Sequence, residues 1–319
     1  MHTLDPARAF LIVTGAEAAS FLQAIITQDI HTAQKDRLIF SALLSPQGKW
    51  MFDFFIRKIP EGYQIECAAN ARDALIKKLS LYKLRAKVEI APLEGWRVGY
   101  VAPHLHSPHQ LFSPHPNPLP QAGEGIAPAN HESRMTNDES RMTNDESRTF
   151  PDPRHPALPQ RVWLAPDAPV PDNLLPLNEV TCQRLTLGIP EGGVDATPDE
   201  TLLDLGYDLL HAVSFTKGCY VGQEVTARMH YKNIARKGFY LVKHASTPLP
   251  ASVSEITSGG NIIGTLRSRA GALGLMFGRF EDVEQATSPT LKDLPVTLEV
   301  PDWQTPKLAL FRSQSQSQS

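Results

Sequence analysis

Short apolar stretches and amphipathic spacing alternate in the first hundred residues of the chain. Apolar positions three and four residues apart predict a helix from about residue 17 to residue 27, with Thr14 and Glu17 forming a capping box at its start. The same spacing predicts a second helix over about residues 71–84. Between them, an apolar strand, a Pro-Gln-Gly turn and an aromatic strand predict a hairpin. The predicted strands cover residues 10–13, 41–44, 50–57, 63–68, 88–90 and 97–101.

Asp53 lies inside the aromatic strand of this hairpin, between Phe52 and Phe54. An unpaired carboxylate in an apolar environment costs free energy. We therefore weigh two interpretations, and the favoured one turns the side chain to the solvent face of the sheet. The alternative is that Asp53 faces a functional site.

The periodic pattern is lost between residues 103 and 160, where prolines are frequent. Within this stretch the unit Glu-Ser-Arg-Met-Thr-Asn-Asp occurs twice in tandem, from residue 132 to residue 145. A period of seven is typical of coiled coils, but each unit has a single apolar residue where a coiled-coil seam needs two. Such a polar segment buries too little apolar surface to offset its ordering entropy, so the sequence predicts a disordered insertion. Several histidines near its start lack acidic or thiol neighbours, and we predict no metal site there.

Regular patterning returns after residue 160. It predicts a strand over residues 161–164, a helix over residues 179–187 capped by Asn178, and a helix that begins near Gly222. Beyond residue 236, short strand-like segments separated by Gly and Pro signals are typical of a small antiparallel barrel. The predicted fold class is therefore α+β, with two α+β lobes and a C-terminal β-barrel. The predicted parts are a lobe over 1–102, the insertion over 103–160, a second lobe over 161–235, the barrel over 236–312 and a disordered tail over 313–319.

Composition narrows the possible function classes. A net charge of -3, without a strongly basic half, disfavours nucleic acid as a partner. The 3 cysteines form no C-x-x-C pair, and they are too few for a structural zinc, an iron-sulfur site of the chain's own or a disulfide scaffold. No apolar run reaches the roughly 20 residues of a membrane span, and the N-terminal residues do not resemble a presequence. These observations predict a cytoplasmic setting in which a free thiol stays free.

The stretch from Lys217 to Glu224 reads Lys-Gly-Cys-Tyr-Val-Gly-Gln-Glu and concentrates functional groups that core packing does not need. A cation two residues before Cys219 and a helix start just after it both favour a thiolate. The two glycines permit positive φ and close approach of a ligand. Gln223 and Glu224 would lie in the first helical turn, where an amide can bind a planar heterocycle. The alternative is that Cys219 is a small buried apolar residue and Glu224 a helix cap, but the density of functional groups favours a site.

This stretch resembles the signature of the folate-binding, aminomethyltransferase-like family of iron-sulfur cluster assembly and repair factors. Further points of resemblance are Phe-Leu-Gln at residues 21–23, Thr-Gln-Asp-Ile at 27–30, Pro-Gln-Gly at 46–48 and Gly-Ile-Pro at 188–190. The resemblance covers about residues 5–102 and 160–300 and does not include the insertion.

The resemblance implies an aminomethyltransferase-like fold around a central opening that binds tetrahydrofolate or a related folate. It implies a role in assembling or repairing four-iron four-sulfur clusters in client enzymes, among them the radical methylthiolation enzymes of tRNA modification. The partners would be iron-sulfur client or carrier proteins, and Cys219 would be the functional thiol. The folate-binding residues it implies are Lys217, Tyr220, Gln223, Glu224, Asp29, Arg184, Glu191 and Arg228.

One departure from the related aminomethyltransferases of glycine cleavage bears on activity. Those proteins carry adjacent aspartates in the strand after the hairpin, whereas this chain has Phe52 followed by Asp53. The loss of one acid argues against aminomethyl transfer, so independent turnover is left undecided. The alternative functions are a folate-dependent one-carbon transferase or demethylase, and a binding module without a ligand in which the motif only joins the second lobe to the barrel.

Overall fold

A five-stranded antiparallel sheet organises the N-terminal part of the chain. The computed structural model describes residues 4–103, 147–252 and 254–316. The first elements are β1 (Arg8–Thr14), α1 (Ala18–Ile25), β2 (Ile39–Leu44), β3 (Trp50–Ile59), β4 (Gly62–Ala68), α2 (Arg72–Lys83) and β5 (Glu89–Leu93). The strands pair in the order β2-β3-β4-β1-β5, and β2 and β3 form the predicted hairpin.

The two faces of this sheet pack against different parts of the molecule. Because side chains alternate along a strand, Leu11 and Val13 of β1 join a core with α1 and α2. Phe10 points to the opposite face, where its ring lies 4.9 Å from the ring of Trp163. That second face is therefore turned toward the middle of the molecule.

A three-stranded sheet lies across this middle region. It consists of β6 (Arg97–Val101), β7 (Arg148–Phe150) and β8 (Gln160–Leu164), in the order β6-β8-β7. The predicted disordered insertion over residues 103–160 is therefore too long, because residues 147–160 belong to the folded structure. Asp152 and Arg154 are buried there as an ion pair, which a proline-rich composition does not reveal. The tandem repeat and the histidines near residue 104 lie outside the described residues.

The C-terminal part is a seven-stranded antiparallel sheet that follows two helices. The helices are α3 (Leu177–Thr186) and α4 (Gln223–Lys232). Its elements are β9 (Lys237–Lys243), β10 (Glu255–Ser258), β11 (Asn261–Ala270), β12 (Leu273–Arg279), the short helix α5 (Phe280–Glu284), β13 (Thr290–Leu291), β14 (Leu294–Pro295) and β15 (Thr297–Glu299). The strands have the order β14-β13-β10-β11-β12-β9-β15, and their apolar core includes Tyr240, Ile256 and Met276.

Two predicted helix caps are wrong. Glu17 is the N-cap of α1 but makes no side-chain cap bond, and its carboxylate accepts a hydrogen bond from the backbone N–H of Lys87 at 2.5 Å instead. The third helix begins at Leu177, after Pro176, so that Asn178 lies within it. In both cases a short-range signal is overridden by the tertiary position of the helix start.

The predicted disordered tail is also partly wrong. A final helix, α6 (Thr305–Gln316), extends into residues 313–316, while residues 317–319 lie outside the described residues. This helix packs on the barrel, because Leu308 is buried and the ring of Phe311 lies 5.4 Å from that of Phe280. None of the helices that the structure describes is both long and apolar enough to cross a membrane.

Candidate functional site

The eight-residue motif lies on a loop that leads into α4. We call residues 214–222 the motif loop. Gly222 has a φ of +81° and is the N-cap of α4, so the helix begins where the sequence predicts. Cys219 is exposed, whereas the side chain of its neighbour Tyr220 is buried. The alternative in which Cys219 is a buried apolar residue is therefore wrong.

Lys217 does not hold its ammonium group free for a thiolate. Its Nζ donates hydrogen bonds to the backbone carbonyls of Ile26 at 2.5 Å and Gln28 at 3.2 Å. Burial lowers the pKa of Lys217 to about 8, and the charge of Asp29 partly opposes this shift. The cation is thus tied to the end of α1.

The start of α4 fits tightly against the turn between β2 and β3. A Cβ atom on Gly222 would lie 2.6 Å from the carbonyl oxygen of Ser45, and one on Gly48 would lie 2.7 Å from Cβ of Val225. Only residues without side chains permit this approach. The Pro-Gln-Gly turn at residues 46–48 therefore lies directly against the start of α4.

The other predicted residues near the loop face different ways. Asp29 accepts hydrogen bonds from the backbone N–H of His31 at 3.0 Å and from Nε2 of Gln23 at 3.1 Å, so it shapes the turn after α1. Glu224 and Arg228 lie on the exposed side of α4, and Gln223 is half-buried at its first position. None of these four predicted residues is among the described residues that line the cavity near β1.

A central cavity of about 720 Å³ lies apart from the motif loop. Its walls come from the segment before β1, from α3, from the loop after α3 and from β11. Of the predicted site residues, Arg184 and Glu191 line it, and residues 217–224 do not. The polar lining residues include Asp5, Arg8, Asn70, Tyr100, Arg184, Glu191, Arg267, Ser268 and Arg269.

Glu191 connects the cavity to a buried set of charges. Its two carboxylate oxygens accept hydrogen bonds from Nη1 of Arg8 and Nη1 of Arg154, each at 2.9 Å. Burial alone raises the pKa of the Glu191 carboxyl, but the charges of Arg154 and Arg8 outweigh it and hold that pKa far below its usual range. Glu191 is therefore a permanent anion in the cavity wall.

Behind Glu191 the charges continue as what we call the arginine–carboxylate network. Glu66 accepts hydrogen bonds from Arg8 at 2.7 Å, from Arg161 at 2.5 Å and from the indole of Trp163 at 2.5 Å. These residues come from β1, β4 and β8, so the network joins the first sheet to the second. Its members are Arg8, Glu66, Asp152, Arg154, Arg161 and Glu191.

Asp53 is buried, so the favoured interpretation that it faces solvent is wrong. The hydroxyl of Tyr207 donates a hydrogen bond to its Oδ2. Burial raises the pKa of Asp53 to about 6, although the hydrogen bond from Tyr207 opposes this shift. A Cβ atom on Gly192 would overlap the Asp53 carboxylate. Gly192 lines the cavity and Asp53 does not, so the acid lies behind this glycine.

Arg184 forms hydrogen bonds with the loop after α3 and with β11. Its Nη1 donates to Oδ2 of Asp195 and to the carbonyl of Ile189, both at 2.7 Å. Its Nη2 lies 3.3 Å from the hydroxyl of Ser268 on β11. Arg184 thus joins α3 to the barrel at the edge of the cavity.

Three arginines of the cavity wall, Arg8, Arg267 and Arg269, are not among the residues predicted from the sequence. Arg8 is buried, and its Nη2 has no hydrogen-bond partner within the part of the chain that the structure describes. Arg267 pairs with Glu200 at 2.6 Å while its Nε is without a described partner. An arginine inside a strand carries no local pattern that separates it from a surface charge. The cavity wall is therefore rich in guanidinium groups, which suit a ligand that carries carboxylate or carbonyl oxygens.

Comparison with known proteins adds independent information. Residues 236–306 match the family model described as the CAF17 C-terminal beta-barrel domain. The chain is 31% identical to the mitochondrial iron-sulfur cluster assembly factor IBA57 of Mus musculus, over 93% of this chain and 83% of that protein. It is 27% identical to the factor of the same name from Homo sapiens, with the same coverage of both chains.

The fold resembles that of an aminomethyltransferase. The crystal structure of the glycine cleavage system aminomethyltransferase T from Bartonella henselae superposes with a TM-score of 0.64, covering 93% of this chain and 83% of that chain. At 15% sequence identity this likeness concerns the fold alone. The aminomethyltransferase-like fold and its C-terminal barrel, as the sequence predicts, are confirmed.

The predicted cytoplasmic location is corrected by these relatives. Both IBA57 proteins are named as mitochondrial. The prediction depended on the residues at the start of the sequence, which do not decide the compartment.

Proposed function

This chain belongs to the family of the iron-sulfur cluster assembly factor IBA57, and we propose that it supports assembly or repair of iron-sulfur clusters in client enzymes. In this role Cys219 is the working thiol and the cluster is cargo. The partners are iron-sulfur client or carrier proteins, which supply the remaining ligands.

The exposure of Cys219 is the observation that carries this proposal. Of the 3 cysteines in the chain, Cys219 alone is exposed, Cys182 is half-buried and Cys67 is buried. Burial raises the pKa of the Cys67 thiol to about 12, which removes it from thiolate chemistry near neutral pH. A cluster needs about four thiolate ligands, so one accessible thiol suits a shared site and not a private one.

The test is replacement of Cys219 by Ala or Ser in a strain that lacks the protein. A cluster-dependent enzyme is assayed, and we expect its activity to stay at the level of the deletion. Cys182→Ala is the matched control, since it removes a thiol from α3 and should restore activity. Full rescue by Cys219→Ala would remove the thiol from the mechanism.

We further propose that the central cavity binds tetrahydrofolate or a related folate. A volume of about 720 Å³ lies within the range of cofactor sites. The carboxylate of Glu191, whose side chain is 21% exposed, can accept hydrogen bonds from the N–H groups of a heterocycle. Arg267 and Arg269 line the same cavity and suit the carboxylates at the other end of a folate. When bound, tetrahydrofolate supplies a carrier for one-carbon groups.

Titration calorimetry with tetrahydrofolate tests this proposal. Val180 lines the cavity from α3 and is not a member of the network, so Val180→Trp should fill space and weaken binding at least about tenfold. Val170→Trp, which changes an exposed valine, is the control and should bind as the parent does. The absence of binding heat in the parent protein would favour the module without a ligand.

We do not propose that this chain catalyses aminomethyl transfer or demethylation. The single acid in the relevant strand, Asp53, is hydrogen-bonded by Tyr207 and lies behind Gly192. It therefore does not line the space in which a folate and a substrate would meet.

A further inference from the structure

We infer that Lys217 is a positioning residue that, with Gln28, fastens the base of the motif loop to the C-terminal end of α1 and so presents Cys219 on a fixed support. The inference relies on the proposed function only for the importance of the Cys219 thiol. The geometry that carries it concerns the loop alone.

The first step concerns the end of α1. This helix has no basic residue in its last turn, and it ends without a glycine cap at Ile26, whose backbone is extended. The final carbonyls of a helix have no partner within the helix and favour a cation nearby. Lys217 supplies that cation, because its Nζ bonds the carbonyls of Ile26 and Gln28. A residue far along the chain thus caps α1.

The second step is that hydrogen bonds are donated in both directions between α1 and the motif loop. While Lys217 reaches toward α1, Nε2 of Gln23 donates back to the carbonyl of Lys217 at 3.3 Å. Nε2 of Gln28 donates to the carbonyl of His211 at 2.7 Å. The hydroxyl of Thr27 donates to the carbonyl of Ala212 at 2.7 Å, and the carbonyl of Thr27 accepts a hydrogen bond from the N–H of Ser214 at 3.0 Å.

The third step is the contrast between the base and the tip of the loop. Residues 211–217, which comprise the start of the motif loop and the three residues before it, are bonded to residues 23–28. A Cβ atom placed on Gly218 would meet no described atom within 4 Å beyond its chain neighbours. Cys219 follows that glycine and is exposed. The residues before Gly218 are held by hydrogen bonds, whereas the Cys219 thiol after it is exposed.

A different role for Lys217, activation of the thiol, fits the geometry less well. An activating cation must keep its charge directed at the sulfur. Here the ammonium group is occupied by two carbonyls and lies 5.0 Å from the centre of the Tyr220 ring. The structure therefore favours mechanical attachment over electrostatic activation.

Two variants separate these roles. Lys217→Met removes both the donor and the charge, whereas Gln28→Met removes a donor of the same attachment without changing any charge. If Lys217 positions the loop, both variants should accelerate amide hydrogen exchange over residues 212–217 at least about tenfold. Lys217→Arg, which keeps a cation able to bond carbonyls, should restore much of the protection.

The second readout is the pH profile of Cys219 alkylation by iodoacetamide. It is measured in the full chain carrying Cys182→Ser, so that Cys219 is the accessible thiol. A positioning role predicts that the midpoint of the profile is unchanged in Lys217→Met. A rise of about one pH unit in that midpoint, with exchange unaffected, would overturn the inference in favour of activation.

Should Lys217→Met fail to fold, Lys217→Gln takes its place, because Gln28→Met leaves the bonds from Nζ to the two backbone carbonyls intact. Unchanged exchange in the Lys217 variant would refute the attachment. Both measurements use purified protein, whereas the proposed function is tested by rescue in cells. Rescue by Cys219→Ala would refute the proposed function and leave the attachment standing. Normal exchange in the Lys217 variant would refute the attachment and leave the proposed function standing.

Discussion

The motif loop and the central cavity are held in place by opposite means. The loop is fixed by hydrogen bonds to backbone carbonyls and by glycines that allow close approach, and its thiol is exposed. The cavity wall is fixed by the arginine–carboxylate network, whose side chains are largely buried. A neutral hydrogen bond contributes about 1 kcal/mol, while an uncompensated buried charge costs several. We therefore expect the cavity wall to be sensitive to single changes and the tip of the loop to tolerate them.

Glu66→Gln should have the largest effect. The substitution keeps the shape of the side chain but leaves Arg8 and Arg161 without their shared anion in a buried environment. We expect a loss of about 3 to 5 kcal/mol in the free energy of unfolding, measured by urea denaturation. Glu284→Gln, which breaks the exposed pair with Arg312, is the control and should cost less than about 1 kcal/mol. Equal losses in the free energy of unfolding of the two variants would mean that the network does not stabilise the cavity wall.

This contrast also explains what the sequence could predict. The fold class follows from hydrophobic periodicity, which is a local property, and the position of Cys219 follows from a contiguous motif. Membership of Glu66 in the network does not follow, because its partners lie in other strands and each looks like an ordinary strand charge alone. Asp152 and Arg154 lie in a proline-rich stretch, where composition pointed to disorder.

Two further errors have the same origin. The sequence favours a surface position for Asp53 because its hydrogen-bond partner, Tyr207, is far away in sequence. The fold can bury the carboxylate because Gly192, which lies against it, has no side chain. Lys217 was expected to act on Cys219 because the two are close in sequence, whereas its contacts are backbone carbonyls, which no sequence pattern marks. Local spacing thus predicted where the site lies in the sequence, but it did not predict which groups its side chains contact.

Gly222→Ala tests the packed side of the motif loop. An alanine there would bring Cβ within 2.6 Å of the Ser45 carbonyl oxygen and 2.9 Å of Cβ of Leu44, at a φ of +81°. Steric overlap and backbone strain together should cost about 2 to 4 kcal/mol, read from thermal and urea unfolding. A cost near zero would show that α4 can move away from the hairpin turn, and the loop would then lack a rigid base.

Asp53→Asn tests the acid behind the cavity wall through pH. Because the folded pKa is raised to about 6 from 3.8, folded Asp53 takes up a proton before the unfolded carboxyl does as pH falls. Its contribution to stability is therefore greatest below about pH 4 and is lost as pH rises through 6. The amide of the variant does not titrate and has no such dependence. The variant should gain about 1 to 3 kcal/mol relative to the parent between pH 4 and pH 7, measured by urea unfolding in both proteins. A difference that is independent of pH would place Asp53 in water.

Gly218→Ala should have the smallest effect and is the sharpest test of the contrast within the loop. Beyond its chain neighbours, none of the described atoms lies within 4 Å of the added methyl group, so the backbone at a φ of +94° is the remaining source of cost. A strained position of this kind costs about 1 kcal/mol, clearly less than we expect for Gly222→Ala, where strain and overlap add. Cys219 should keep its alkylation rate in this variant, because the attachment at Lys217 and Gln28 is untouched. If the two glycine variants were equally unstable, the tip would be packed like the base, and the exposed thiol would not stand on a separate support.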